Sequence, residues 1–547
     1  MRLPILIALC LVGCGVEPEL TEPDPESPPP DGGPADASTL PVEPKPWAVY
    51  RGTEQLHPGF TDGNAGTELL LALSLDDLAD GADAPAPLPN SEQISRQRWS
   101  HDGAWLVEMS SYAKLTIWDM SGATLSTPKT VSTDLDFSID DLVPSPVDAR
   151  FLVVAFDRDD VVGEKAFYML DAERATAERL ALEAVTGALK LPSWSPAGDA
   201  LLVESEVGED GFRELSVIDA SEPERAPLPL VPPSGYWDTT SWSPDGRWVT
   251  AETSSFAAGH TLFLINVAEA RPDARATPWR ARHDEGLRNE ADNVLAWSPN
   301  GAWLLLRSSI EGEDFATELQ LLDMRGDQPS EPFIPAHQRA DDGLDPIALW
   351  SPDSRYVVVV RLVTGELTTE LVVLDTAHPN AESIFEHRLP ASITEPFVAW
   401  TARGALVFQE GSALFSHALD GDSEPELLTD DLRIDDPSSA LQTHVQLAPD
   451  RSKLLYASGS RDDVLGLITF GDASELRTVE LDGELADSPA QWRADSAGFI
   501  AFVDPNGNGC TYGCVLDYVA LDANAEPRPP VRAAGQITAP FDSVLQP

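Results

Sequence analysis

A short turn recurs along almost the whole chain and constrains its fold more than any other feature. The clearest copy is Trp242-Ser243-Pro244-Asp245-Gly246, followed by Arg247-Trp248. Related copies begin at Trp99, Trp194, Trp297, Trp350, Trp400 and Trp492, and degenerate ones at Pro144 and Leu447. Successive copies are 45, 50, 48, 55, 53, 50, 47 and 45 residues apart, a period that points to solenoids or propellers.

The residues after each copy decide between them. Ser-Pro-Asp-Gly suits a type I turn, with Ser at the first corner, Pro pre-set for the second, Asp at the third and Gly at the fourth. Short runs rich in β-branched, aromatic and Leu residues come next, at 303–307, 356–361, 405–409 and 499–503. Some 20 to 30 residues after each copy lies a second apolar run closed by an acidic or amide residue, as at 215–219, 262–266, 319–323 and 371–375. No copy holds a long stretch with a 3.6-residue period. Helical solenoids are therefore disfavoured, and the expected architecture is an all-β propeller of four-stranded blades, about nine and between eight and ten.

On these residues the chain resembles the WD-type repeats of TolB-like β-propellers, which also occur in prolyl oligopeptidase-type enzymes. The resemblance covers roughly residues 95 to 525 and implies the blade, while one fold hosts many functions. The chain departs from TolB in its N-terminal segment and leaves no room for a separate α/β domain there, so the TolB role is not carried over.

Met1-Arg2, the apolar run 3–9 and Leu11-Val12-Gly13-Cys14 resemble the signal and lipobox of bacterial lipoproteins. The run is too short to span a bilayer as a helix. The resemblance implies cleavage before Cys14, diacylglycerol on its sulfur, usually a further acyl chain on the new amino terminus, and anchoring in the cell envelope. Gly15 follows the cysteine where some bacteria place an inner-membrane retention Asp, which favours the outer membrane. Residues 15–46 hold ten prolines, eight acidic residues and one Lys, and cannot bury a core. Extended polyproline geometry would let such a tether reach roughly 100 Å at most. The expected organisation is signal 1–13, tether 14–46, propeller 47–530 and a C-terminal tail 531–547 against it. The stretch from Trp47 to Asn90 lacks the turn and is expected either to complete the last blade or to form a degenerate one.

The chain carries 91 acidic and 36 basic residues, a net charge of −55. That balance argues against nucleic acid, which is bound through clustered Lys and Arg, and against direct adsorption on anionic lipid. It favours solubility by self-repulsion and permits cationic partners. After processing, Cys510 and Cys514 are the remaining cysteines, and their closeness across a Gly-containing loop suits a disulfide in an oxidising compartment. Just before them, Asp504, Asn506 and Asn508 match the first half of a Ca²⁺ loop, whose second half is missing: Val515 stands where the bidentate Glu belongs.

No Gly-x-Ser-x-Gly, His-Glu-x-x-His, Walker A or Gly-x-Gly-x-x-Gly sequence occurs. The nine histidines are dispersed, and the pairs Asp159-Asp160, Asp341-Asp342, Asp430-Asp431 and Asp435-Asp436 are of a kind that so acidic a chain produces by chance. No catalytic residue and no cofactor beyond that Ca²⁺ candidate is assigned. The favoured reading is a membrane-anchored scaffold binding an envelope protein or glycan. The alternative is an envelope lyase or glycosidase with its site at the channel mouth, assembled from residues about fifty positions apart.

Overall fold

The computed structural model describes residues 47–53, 68–74, 86–87, 94–110, 114–122, 127–132, 137–157, 165–180, 192–207, 212–234, 236–255, 259–267, 293–309, 316–333, 339–341, 347–363, 368–379, 383–389, 396–419, 423–433, 445–471, 473–485, 490–493, 495–504, 514–522 and 524–537. Among them, thirty-nine strands, β1 to β39, form ten antiparallel sheets, and there is no α-helix. Nine sheets each carry one copy of the turn: β4–β7 (94–132), β8–β11 (137–179), β12–β15 (193–234), β16–β18 (236–266), β19–β22 (293–341), β23–β26 (347–389), β27–β30 (398–429), β31–β34 (445–480) and β35–β39 (484–537). Each is a meander in which neighbours in sequence are neighbours in space. In the last sheet β35 and β36 both pair with β37.

The core lies between sheets, and this explains the unbroken apolar runs. In β24 (Tyr356–Val363), Val357 and Val359 pack with Leu305 and Leu321 of the preceding sheet. Tyr356, Val358 and Val360 pack with Trp400 and Phe408 of the next. Side chains alternate between the two faces of a strand, so a strand buried on both must be apolar at every position. The same division repeats from Val107 and Phe151 at one end of the series to Leu467 and Phe499 at the other. Sheets stacked face to face with meander connections form a β-propeller.

The tenth sheet, β1 (Trp47–Thr53), β2 (Glu68–Ser74) and β3 (Ala86–Pro87), pairs only within itself among the described residues. The described part of this stretch is thus a three-stranded sheet of its own. Its strands match the second, third and fourth of the other blades. Trp47 stands where Trp105, Trp248 and Trp303 open their second strands. Moreover, β1 runs beside β39 (Val531–Ile537), as β24 runs beside β22 (Arg339–Asp341): a fourth strand against the second strand of the following blade. β39 itself lies beyond residue 530, where the tail was expected to start. It joins the last sheet because Val531 and Arg532 pair with Tyr518 and Asp517.

Candidate binding surface

The repeated turn is built by one buried hydroxyl. Ser243, with no exposed surface, donates to Asp245 Oδ1 at 2.5 Å and accepts from the Trp248 backbone N–H at 2.9 Å. Asp245 in turn accepts from the Arg247 N–H, and Gly246 N–H donates to the Ser243 carbonyl oxygen at 2.9 Å. Ser100, Ser298 and Ser351 repeat the arrangement. The fourth corner takes a left-handed backbone, with φ of +71° at Gly246 and +68° at Gly301, which is why the motif ends in Gly. At two copies that depart from Gly the side chain has work: Ser354 Oγ accepts the Asn300 backbone N–H and Ser496 Oγ that of Asp450, both at 3.1 Å and both from the turn one blade back.

The repeat tryptophans pack between blades. Trp99, Trp194, Trp350, Trp400 and Trp492 are buried, whereas Trp242 and Trp297 are half-buried. Burial obliges the indole N–H to find an acceptor. Trp194 donates to the Val143 carbonyl oxygen, Trp242 to Ser193, Trp350 to Ala296, Trp400 to Leu349 and Trp492 to Gln446, at 2.9 to 3.4 Å. Each acceptor is the residue just before the start of the preceding copy. The indoles of Trp99 and Trp297 have no partner among the described residues. Trp297 ends a strand with a bulge between Val294 and Ala296.

In such a meander the connections after first and third strands lie on one rim, and those after second and fourth strands on the other. The turn rim holds all nine copies and the acidic residues that close the third strands. Those carboxylates are committed to structure. Ser221 hydroxyl and backbone N–H groups on Asp219, and the Arg325 guanidinium on Asp323, hold both acids below the usual carboxylate range.

At the opposite, loop rim, Asp341 ends the fourth strand β22 and Asp430-Asp431 follow the fourth strand β30 (Glu426–Thr429); Asp159-Asp160, which come after β9 (Arg150–Asp157) in sequence, Asp342 and Asp435-Asp436 lie outside the described residues. Glu209-Asp210, Glu311, Glu313 and Asp314 fall in sequence between second and third strands and also lie outside the described residues. In the described part of this rim, Asp431 accepts from Ser458 Oγ at 2.6 Å and Ser460 Oγ at 2.9 Å. Asp504 is buried at the end of β37 (Gly498–Asp504), and Cys514 opens β38 (Cys514–Ala520). Asn506, Asn508 and Cys510, like Cys14, lie outside the described residues.

Two further constellations come together that spacing in sequence does not reveal. Arg98 and Asp141, on the first strands of adjacent blades, form an ion pair at 3.7 Å. His387 Nε2 meets Glu410 Oε2 at 3.1 Å, beside His417, whose ring stacks on Phe385 at 4.2 Å between centroids. His417 is 6% exposed, its Nδ1 has no partner among the described residues, and burial pushes its pKa down. Cross-strand and inter-blade packing assembles this cluster from three strands, and no local motif marks it. Phe385 and Phe408 fill its surroundings. Among the described residues no three His, Cys, Asp or Glu side chains are placed to hold a metal ion.

By sequence the chain matches no protein-family profile and no curated protein. Among solved structures it is similar to a eukaryotic initiation factor, at 11% identity and a TM-score of 0.49, covering 92% of this chain and 99% of that one. It is also similar to the Dos1 propeller, at 16% identity and a TM-score of 0.37 over 66% and 90% of the chains. TolB from Acinetobacter baumannii matches at 15% identity and a TM-score of 0.27 over 65% and 86%. The propeller assignment rests on the chain's own sheets and the core between them.

Proposed function

We propose that this chain is a lipid-anchored scaffold of the bacterial cell envelope, whose loop rim binds a partner protein through a basic surface. The observation that carries the reading is the division of labour between the rims. Asp219 and Asp323 hold turns, whereas the sequence between second and third strands is rich in carboxylates, Asp159, Asp160, Glu209, Asp210, Glu311, Glu313 and Asp314, that belong to no turn motif. The anchor gives this division a direction. β1 has the place of a second strand and so begins on the turn rim; a tether leading from Cys14 to Trp47 arrives there, and the loop rim faces away from the membrane. Each exposed carboxylate adds about 0.2 to 1 kcal/mol, so several must act together, and association becomes steep in ionic strength.

The test is capture of a partner from membranes by the full-length protein, followed by binding measurements at graded salt. Neutralising the loop rim (Asp159→Asn, Asp160→Asn, Glu311→Gln, Glu313→Gln) should weaken binding at least tenfold and flatten its salt dependence. Neutralising exposed Glu222 and Glu331 on the turn rim should change neither. Equal effects from both rims, or turnover of an envelope polysaccharide by the purified propeller with no partner recovered, would overturn the reading.

A further inference from the structure

We propose that Asn300 is a deamidation site controlled by its own turn: it is held back while the turn is closed, and its Asp form is accepted by the same turn. Asn300-Gly301 is the one Asn-Gly step among the described residues. In five other copies the third corner is a carboxylate, Asp102, Asp245, Asp353, Asp450 or Asp495, whose Oδ1 accepts the backbone N–H two residues on at 2.9 to 3.1 Å. Asn300 Oδ1 takes the same place and accepts the Ala302 N–H at 3.0 Å. It also accepts from Ser298 Oγ at 2.9 Å, where the hydroxyls of Ser100, Ser243 and Ser351 reach their carboxylates at 2.5 to 2.6 Å. A charged acceptor draws its donor closer and binds it more strongly than a neutral one. The turn at Asn300 therefore holds an amide in a slot that is built for a carboxylate.

The conversion consumes only water. The Gly301 backbone nitrogen attacks Asn300 Cγ, its proton passes to the departing amide nitrogen, and ammonia leaves as a cyclic imide forms. Water then opens the imide. Addition at Cγ breaks the new bond and gives Asp, whereas addition at the main-chain carbonyl breaks the original peptide bond and gives isoaspartate, whose backbone is one carbon longer. Gly301 has no side chain to hinder the attack, and Asn300 is exposed to the water that completes it. The closed turn opposes it: the Gly301 N–H is engaged by the Ser298 carbonyl oxygen at 2.9 Å. Asn300 Oδ1 is held by its two donors, and Ser298 Oγ is itself fixed by the Trp303 N–H at 2.9 Å. Nitrogen and Cγ meet only when the turn opens, so the rate follows the population of the locally open state. On reclosing, Asp regains both bonds to Oδ1. Isoaspartate does not, because its longer backbone carries Gly301 away from the Ser298 carbonyl.

The experiment follows Asn300 by peptide mass in the full chain at mildly alkaline pH, folded and in urea, with Asp and isoaspartate forms separated against synthetic peptides. Conversion should be at least tenfold faster in urea than in the folded protein, and Gly301→Ala should slow it in urea. Asn300→Asp should fold with a urea midpoint at or above the parent's. Ser298→Ala removes the hydroxyl that holds Asn300 and Trp303 and should speed conversion in the folded protein, while Ser351→Ala, one blade on, should leave it unchanged. Equal rates folded and in urea, no conversion in urea, an unchanged folded rate in Ser298→Ala, or a lowered midpoint for Asn300→Asp would each overturn the proposal. If Ser298→Ala fails to fold, the parent's two rates and the Asn300→Asp midpoint decide.

Discussion

The indole N–H of Trp400 lies 2.9 Å from the carbonyl oxygen of Leu349, which precedes the turn of the neighbouring blade. One side chain thus joins two sheets by a hydrogen bond and by its ring, which stacks on Tyr356 at 6.3 Å and is 3% exposed. Replacing Trp400 by Ala should cost about 3 to 5 kcal/mol. Trp400→Phe keeps most of the burial and loses the donor, so its cost should be much smaller, about 1 kcal/mol. Trp242→Ala should cost less than Trp400→Ala, because its ring is only half-buried. Urea midpoints of the three variants check the order.

The turn makes a sharper demand. A Cβ built on Gly301 would sit 2.5 Å from the Asp245 Cγ one blade back, and the backbone there has φ of +68°. Gly301→Ala should therefore cost at least the 1 to 2 kcal/mol or so of a left-handed residue, and more for the contact. At the equivalent Ser354, with φ of +61°, Gly would relax the backbone but remove the hydroxyl that accepts the Asn300 N–H. The two effects offset, so Ser354→Gly should lie within about 0.5 kcal/mol of the parent. Thermal or urea unfolding of the two variants separates them.

These positions show what was legible beforehand. Trp-Ser-Pro-Asp-Gly declares itself because a turn is local: the hydroxyl, the carboxylate and the left-handed Gly lie within five residues. The apolar runs after it were equally readable, since burial on both faces leaves no polar position. The carbonyl partner of Trp400 lies 51 residues away and carries no side-chain signal. The blade at Trp47 was obscured because it begins at its second strand, so the turn that marks every other blade is not next to it. His387, Glu410 and His417 meet only through pairing and packing across two blades, which spacing cannot encode.

His417 should make stability depend on pH. Burial, with the charge of nearby His387 acting in the same direction, outweighs the pull of Glu424 and holds its pKa below the ordinary value of 6.5. The unfolded chain then binds the proton more tightly than the folded one. Stability from this group is complete above about pH 6.5 and is lost as pH falls from there toward the folded pKa. Denaturant midpoints at pH 7.5 and 5.5 should show a larger drop for the parent than for His417→Phe, which keeps the contact with Phe385 and cannot titrate. Equal drops would mean that His417 does not set the pH dependence.

The anchor gives the last prediction. Each methylene buried in lipid contributes about 0.8 kcal/mol, so one acyl chain holds a protein weakly and reversibly, and two or three hold it stably. Among the described residues no helix is long and apolar enough to cross a membrane, and a net charge of −55 opposes adsorption on anionic lipid. Membrane association should therefore depend almost wholly on Cys14. The parent is expected in the membrane fraction, with a mature N-terminus at Cys14 and a mass increased by its acyl chains. Cys14→Ser should release a folded propeller with the same urea midpoint as the parent, since Cys14 lies 33 residues before the first strand in sequence. Release accompanied by a lowered midpoint would instead mean that lipid or tether packs against the propeller, and a parent found soluble and unmodified would remove the anchor.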